Sequence, residues 1–429
     1  MKKSWAFTSR GKHASKKDNL RQPFSRKIMG HALFSDVCWI VRTLKDMGYP
    51  AFIAGGAVRD ILMGRNPEDY DIATTATPEV VLSIFPRVKP VGKAFGTTLV
   101  IIEHRPYQIT TLQSSGGTYT ELTERDILRR DFTVNALFWD PIEDRLIDIV
   151  GGMRDLNLRL LRPVTTAEEI FLDDPIRMLR AVRIAYSLGF TIDPAIPPAI
   201  RNHKKLIHRV SPERIQYEMA KILSLSNVLE ALCPLVKTRL LFEIIPELFP
   251  LLKLKQTPYH DFSALSHTFR VLFFTEKLLN ASPFSSKLNM FKKHVIALSA
   301  LLHDIGKADT HTTDEKGNHH FYDHEDVGAL MASDVMKRLR FPKKETVLVK
   351  NLVERHLYPL HLFRHYRENT LTQRAIDRFH RKTKRFLWPL LLLSSADQLA
   401  KKRGDTGTLS QDWLEFMDML LLTTGTGRE

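Results

Sequence analysis

An apolar run, Ala51–Ala54, leads straight into a glycine pair, and from Gly55 to Ile72 the chain reads GGAVRDILMGRNPEDYDI. No other stretch limits the possible folds as much. A short apolar run ending at glycine reads as a buried strand. The glycines let the backbone approach an anion closely and turn its N–H groups toward it. Asp69 and Asp71 flank a single tyrosine. If Tyr70 lies in a second strand, residues two apart point to one face. The two carboxylates would then project together and hold divalent cations against phosphate oxygens. Taken alone, the two acids read equally as a solvated turn after Asn66-Pro67.

Two blocks downstream add to this reading. The first is ERDILRRDFTVNALFWD, Glu124 to Asp140. By spacing alone its Arg-Arg-Asp is an anion site or a surface ion-pair cluster. The second is FLDDPIRMLRAVRIAYSLGF, Phe171 to Phe190. Asp174 and Arg177 are three apart, so a helix puts them on one face. A carboxylate can accept from the exocyclic amine of cytosine or adenine while a guanidinium donates to the ring nitrogen. Uracil and guanine present the reverse order and would leave groups unpaired.

GGAVRD, the D-x-D pair, RRDFTVNA and DDPIRMLRAVR together resemble the tRNA nucleotidyltransferase and poly(A) polymerase family over roughly residues 31 to 225, with Asp173 where the family usually has Glu. The resemblance implies a nucleotidyltransferase head with Mg²⁺ on catalytic Asp69 and Asp71. Nucleotide binding would fall to Gly55, Gly56, Arg59, Arg129, Arg130, Asp131, Asn135, Asp174, Arg177 and Arg180. Arg129 and Arg130 would neutralise the triphosphate, Asp131 and Asn135 would meet ribose hydroxyls, and Arg180 would face the phosphates. The implied substrates are CTP and ATP, and the implied partner is the tRNA 3′ end. SPERIQYEMAKIL, Ser211 to Leu223, matches the family's last neck motif, where Arg214, Glu218 and Lys221 would brace the neck, Arg214 being also a candidate for the active site.

Two departures stand out. Gln108 occupies the place of a usual third acid, and Gln is neither a base nor an anionic ligand. The segment Gln113 to Arg129 is shorter than the flexible loop of typical CCA-adding relatives, which resembles CC-adding enzymes and favours C over A addition.

The carboxy-terminal half carries a separate signal. ALLHDIGK, Ala300 to Lys307, sets His303 beside Asp304 in an apolar helix, with His267 upstream and Asp397 downstream. Such groups are costly to bury unless satisfied. The order H…HD…D resembles the HD phosphohydrolase domain, with His267, His303, Asp304 and Asp397 on a divalent metal. His324 and His356 occupy further places where HD domains attached to such enzymes carry histidines.

The fold expected is α+β: a head with a small sheet plus helices, then an all-α neck, body and HD domain. The divisions expected are 1–30, a basic flexible arm; 31–160, the head; 161–225, the neck; 226–262, a helical connector; 263–400, the HD domain; and 401–429, a tail. The net charge of +15 over 429 residues favours a polyanion. No amphipathic basic helix or lipidation signal is visible in the sequence, which favours nucleic acid over a membrane. Cys38 and Cys233 read as buried reduced thiols. The start, MKKSWAFTSRGKHASKK, lacks an apolar stretch, and the expected location is cytoplasmic. Two alternatives remain at this point. One is a poly(A) polymerase, against which KAFGTTLV and the HD domain speak. The other is a phosphohydrolase whose head has become an RNA-binding module.

Overall fold

The computed structural model describes residues 32–90, 96–112, 118–255, 263–401 and 409–422. The expected basic arm, the linker at Gln256–Pro258, Lys93–Phe95 of KAFGTTLV and the final residues Thr423–Glu429 lie outside the described residues. The chain divides into two compact units, Met1–Leu158 and Arg159–Glu429.

The first unit contains α1 (Ala32–Asp46), β1 (Ala51–Ala54), α2 (Gly56–Leu62), β2 (Asp71–Thr74), α3 (Pro78–Ile84), β3 (Val88–Pro90), β4 (Thr97–Ile102), β5 (Arg105–Thr111), α4 (Tyr119–Leu128), β6 (Phe138–Asp140), β7 (Arg145–Ile147) and α5 (Gly152–Leu158). The strands form one seven-stranded mixed sheet, ordered β3-β4-β5-β2-β1-β6-β7, with β2 and β5 parallel. Strand alternation sends Ile53, Ile72, Ile109 and Trp139 into a core with Val37, Ile40 and Leu44 of α1. The opposite face pairs Phe52 with Phe138 edge to face, 6.3 Å between centroids. Cross-strand register places Ala54, Asp71 and Gln108 side by side. The end of β1, with its glycines, and the start of β2 therefore lie together at one end of the central strands.

Two expectations need correction here. Tyr70 is not in a strand: β2 begins at Asp71, so Asp69 stands on the segment before it. Tyr70 is nevertheless buried in the core, with Asp69 exposed and Asp71 half-buried on either side. The supposed flexible loop is also different. Gln113–Gly117 lie outside the described residues, but after the cap residue Thr118 the ten residues Tyr119–Leu128 form α4. Thr118 and Glu121 cap it reciprocally, each side chain satisfying the other residue's backbone N–H.

The second unit is mainly helical, with two exceptions to the all-α expectation: a parallel pair, Leu160–Leu161 with Thr191–Ile192, and an antiparallel hairpin, His311–Thr313 with His319–Phe321. The helix Arg177–Leu188 buries Met178, Ala181, Val182, Ala185 and Leu188 and stops at Gly189, whose φ of 70° is left-handed. Pro212 opens the helix Pro212–Leu223, but Ser211 makes no side-chain cap bond. The HD histidines and aspartates ride on the helices Ala264–Leu279, Lys293–Leu302, His324–Arg338, Lys343–Arg355 and Leu387–Lys401 or at their ends. Within 401–429, Gln411–Leu422 is a helix that buries Trp413, Phe416, Met417 and Leu420.

The helix Gln373–Thr383, QRAIDRFHRKT, buries Ile376, Phe379 and Thr383 and turns its cations outward. An amphipathic basic helix is thus present after all. Cys38 and Cys233 are free but half-buried, not buried, and burial still pushes the Cys38 thiol up to about 11. Among the described residues no helix is long and apolar enough to cross a membrane.

Candidate active sites

In the first unit, Gly55 is the pivot. Its φ of 75° is strained for any residue with a side chain, and an added Cβ would stand 2.7 Å from Arg130 Nη1. Gly55 N donates to Leu137 O at 2.9 Å, which docks the turn on the segment before β6. Arg59, on α2, donates through Nη1 to Asn135 Oδ1 at 2.5 Å. Arg130 donates to Asn135 O at 3.2 Å, pairs with Asp126 at 3.1 Å and lies 4.7 Å over the Phe138 ring. Asp131 accepts from Phe132 N at 2.8 Å and from Asn135 Nδ2 at 3.2 Å. Five of the residues expected from sequence, Gly55, Arg59, Arg130, Asp131 and Asn135, thus form one connected cluster. Arg129 is exposed at the end of α4. Gln108, exposed on β5, sits directly across from Asp71.

In the second unit, the shared helical face of Asp174 and Arg177 does not exist. One helix, Ala167–Asp173, ends at Asp174, whose backbone is extended, and the next begins at Arg177. The proline at 175 is the cause, because it disfavours helical backbone in the residue before it. Arg177 instead pairs with Asp173 at 2.8 Å and donates to Ile170 O at 3.4 Å. Asp174 is held by Arg214 through two bonds of 3.1 and 2.6 Å. Arg180 lies 3.8 Å from buried Glu218, which Arg183 also engages. Glu218 therefore ties two helices together, as a bracing role requires.

The HD residues converge. His267 Nε2 lies 3.0 Å from Asp397 Oδ1 and 3.6 Å from Asp304 Oδ2. His303 Nε2 is 3.2 Å from Asp304 Oδ2. His324 and His356 reach Asp304 Oδ1 at 3.4 and 3.9 Å. All six are buried. The ligand atoms of His267, His303 and Asp397 lie within 4.8 Å of one another, as do those of His303, Asp304 and His356. Close backbone packing makes this possible: a Cβ on Gly306 would stand 2.4 Å from His324 O and 2.6 Å from Gly328 N.

The imidazoles are oriented for ligation. His303, His324 and His356 each donate Nδ1–H to the carbonyl three residues earlier, at 2.9, 2.8 and 2.7 Å. That bond fixes the ring orientation and turns Nε2 toward Asp304. The Nε2 atoms of His303 and His324 are buried and make no well-directed hydrogen bond among the described residues.

Burial works against charge on Asp304, but His303 and Lys307 outweigh it and hold its carboxyl well below the usual range. Asp397 is likewise held low, against burial, by Lys401 and His267. Burial, with His303 alongside, pushes His356 down to about 3. Burial also lowers His267, against its bond to Asp397. Burial opposes charge on His303 as well, yet Asp304 raises it on balance. Two carboxylates held ionised, beside the His267 and His356 imidazoles that burial keeps from charging, fit a divalent metal. Lys307 and Lys401, each 2.7 Å from its aspartate, escaped the sequence reading. Their spacing of three and four residues from Asp304 and Asp397 was the available signal.

Residues 51–162 match the poly A polymerase head domain, residues 189–252 a probable RNA and SrmB-binding site of polymerase A, and residues 264–384 the HD domain. A CCA-adding enzyme of Geobacillus kaustophilus is 40% identical over 225 residues, which cover 50% of this chain and 55% of that protein. One from Geobacillus stearothermophilus is 39% identical over 217 residues, covering 48% and 54%. The chain thus spans about half the length of the curated relatives it matches. Among solved structures, the Bacillus stearothermophilus CCA-adding enzyme in complex with CTP superposes with a TM-score of 0.62 at 26% identity, covering 92% of this chain and 83% of that one. The Thermotoga maritima CCA-adding enzyme complexed with tRNA shares the fold, with a TM-score of 0.64 at 18% identity over 94% and 86%. The chain belongs to the tRNA nucleotidyltransferase and poly(A) polymerase family and carries a carboxy-terminal HD domain.

Proposed function

We propose that this chain is a template-independent RNA nucleotidyltransferase that adds CMP, and after it AMP, to tRNA 3′ ends from CTP and ATP. The observation that carries this is the cluster of Arg59, Arg130, Asp131 and Asn135 around the Gly55 turn, at the end of the central strands where β2 begins at Asp71. CCA-adding relatives at 39–40% identity and a structural neighbour solved with CTP support it. The surplus of +15 suits tRNA.

The roles follow from the side chains. Arg59 and Arg130 offset triphosphate charge, with Arg129 available from the end of α4. Asp131 and Asn135 offer an acceptor and a donor for ribose hydroxyls. Carboxylate oxygens suit a hard cation, so Asp69 and Asp71 would hold Mg²⁺. Bound there, it supplies Lewis-acid stabilisation of the reacting phosphate and the leaving pyrophosphate. Gln108 offers no base, so in this part of the sheet Asp69 and Asp71 are the groups able to accept the 3′-hydroxyl proton. Asp174 accepts from the exocyclic amine of cytosine or adenine, and Arg214 or Arg177 donates to the ring nitrogen.

A second activity is carried by the His/Asp cluster of the HD domain. His267, His303, Asp304 and Asp397, with His324 and His356 beside them, would hold a divalent metal for phosphoester hydrolysis. The deciding test for the head is Mg²⁺-dependent incorporation by the Asp69→Ala/Asp71→Ala variant. Loss of incorporation with an unchanged melting temperature supports the assignment. Undiminished incorporation overturns it.

A further inference from the structure

We propose that the exposed cationic face of the helix Gln373–Thr383 is a platform for a single RNA strand, leading its phosphate-bearing end into a cavity beside the His/Asp cluster. This rests on the reading of that cluster as a phosphohydrolase site.

The cavity has a volume of ≈ 360 Å³, and its walls set the acids Glu325, Asp326 and Glu354 against the cations Arg355, Arg378 and Lys382, with Tyr358 and His361 beside them. Its lining adjoins the cluster through the residues that follow His324 and His356. Glu325 Oε2 lies 3.3 Å from His324 Nδ1. Leu357, also on the wall, follows His356 directly. His361 is within electrostatic reach of Lys401, which binds Asp397 at 2.7 Å. Tyr358 is braced edge to face by Phe379, 5.1 Å between centroids, and offers a fixed ring on which a base can stack.

Arg378 and Lys382 are one turn apart, and the stripe continues beyond the cavity. Arg374, Arg378, Arg381 and Lys382 stand at i, i+4, i+7 and i+8, all exposed. They cover about 12 Å of helix. None of the four forms an ion pair among the described residues. Asp377, which could have neutralised one, accepts from Gln373 at 2.9 Å instead. A row of cations along one helix face suits a chain of phosphates better than a single nucleotide. A membrane fits poorly, because the apolar residues Ile376 and Phe379 are already buried in the fold.

The test uses the full chain and a single-stranded RNA of about 12 nucleotides ending in a 3′-phosphate and carrying 4-thiouridine. Photocrosslinks should fall within 373–383, as read by mass spectrometry. Each phosphate contact to a single strand contributes roughly 0.7 to the slope of log K against log salt. Arg374→Ala/Arg381→Ala should therefore lower the slope by about 1.4, while Arg374→Lys/Arg381→Lys should keep it. Crosslinks found only elsewhere, an unchanged slope in the alanine variant, or a lysine variant as impaired as the alanine one would each overturn the proposal. So would binding of the helix to phosphatidylserine vesicles in preference to RNA. Hydrolysis of bis(p-nitrophenyl) phosphate with added Mn²⁺ is measured in parallel. Its absence would remove the hydrolase reading alone, because the crosslink and salt measurements report the platform separately.

Discussion

Breaking the Asp174–Arg214 pair should change base choice far more than stability. The pair is bidentate, at 3.1 and 2.6 Å, but its side chains are 28% and 52% exposed. An exposed pair contributes about 0.2–1 kcal/mol. Arg214→Ala should therefore lower the melting temperature by no more than about 4 °C. A lost hydrogen-bonding partner at a base edge in a water-excluded site costs about 1–3 kcal/mol, which converts to roughly a 5- to 150-fold loss of discrimination. The assay is single-turnover incorporation of CMP against UMP by Asp174→Ala, Arg214→Ala and Arg177→Ala, with melting curves for each. Asp174→Ala should relax the preference. Whichever arginine variant matches it supplies the donor to the ring nitrogen. A melting temperature lowered well beyond about 4 °C with unchanged discrimination would make the pair a brace and refute this reasoning.

Three further outcomes are expected. Gln108→Asp places a second carboxylate across from Asp71, with strands about 4.8 Å apart; the repulsion should cost about 1–3 kcal/mol without Mg²⁺. Melting with and without Mg²⁺ reads this, and a variant equally stable in both would contradict the register. A divalent metal at about 100 times its Kd should stabilise the HD-bearing unit by about 2.7 kcal/mol. The corresponding rise in melting temperature should vanish in His303→Ala/Asp304→Ala while CMP incorporation persists. A rise of equal size in that variant would move the metal elsewhere. Glu345, which burial would push up, is held low by bonds from Lys292 at 2.7 Å and His294 at 2.9 Å. A depressed carboxyl stabilises the fold above its unfolded value of about 4.3 and loses that contribution as pH falls through the folded value. Glu345→Gln should therefore cost about 1–2 kcal/mol at neutral pH and progressively less below about pH 4. Urea melts across that range would contradict the pair if the difference stayed constant.

The readable parts of the chain were those where local chemistry and fold agree. The Gly55 turn, the short strands around it and the helix ending at Gly189 all carry their signal within a few residues. His303 and Asp304 stood out because such groups in an apolar run require partners, whereas His267 and Asp397, far away in sequence, were legible only through the resemblance of the order H…HD…D to HD domains. Other errors had local signals that went unused. Asp174 precedes a proline, which ends the helix there, and Thr118 with Glu121 is a capping box that announces α4. The cationic stripe of Gln373–Thr383 follows the helical period, yet Ala375, Ile376 and Phe379 are too few to stand out as an apolar face. What no local signal could give is tertiary register. The parallel pairing that sets Gln108 against Asp71 joins strands with the β3–β4 hairpin between them in sequence.

The central claim is tested most directly by offering a tRNA that lacks its 3′ end to the intact chain with Mg²⁺ and one labelled nucleotide at a time. The account predicts rapid incorporation of CMP from CTP and little from UTP or GTP. On a tRNA already ending in CC it predicts slow AMP addition, as the resemblance of the Gln113–Arg129 segment to the shorter loop of CC-adding enzymes implies. Complete loss is expected when Asp69 and Asp71 are both alanine. Long runs of AMP on an unrelated RNA would point to poly(A) synthesis instead. No incorporation from any nucleotide by the intact chain, alongside RNA binding, would contradict the account and leave the head as a binding module.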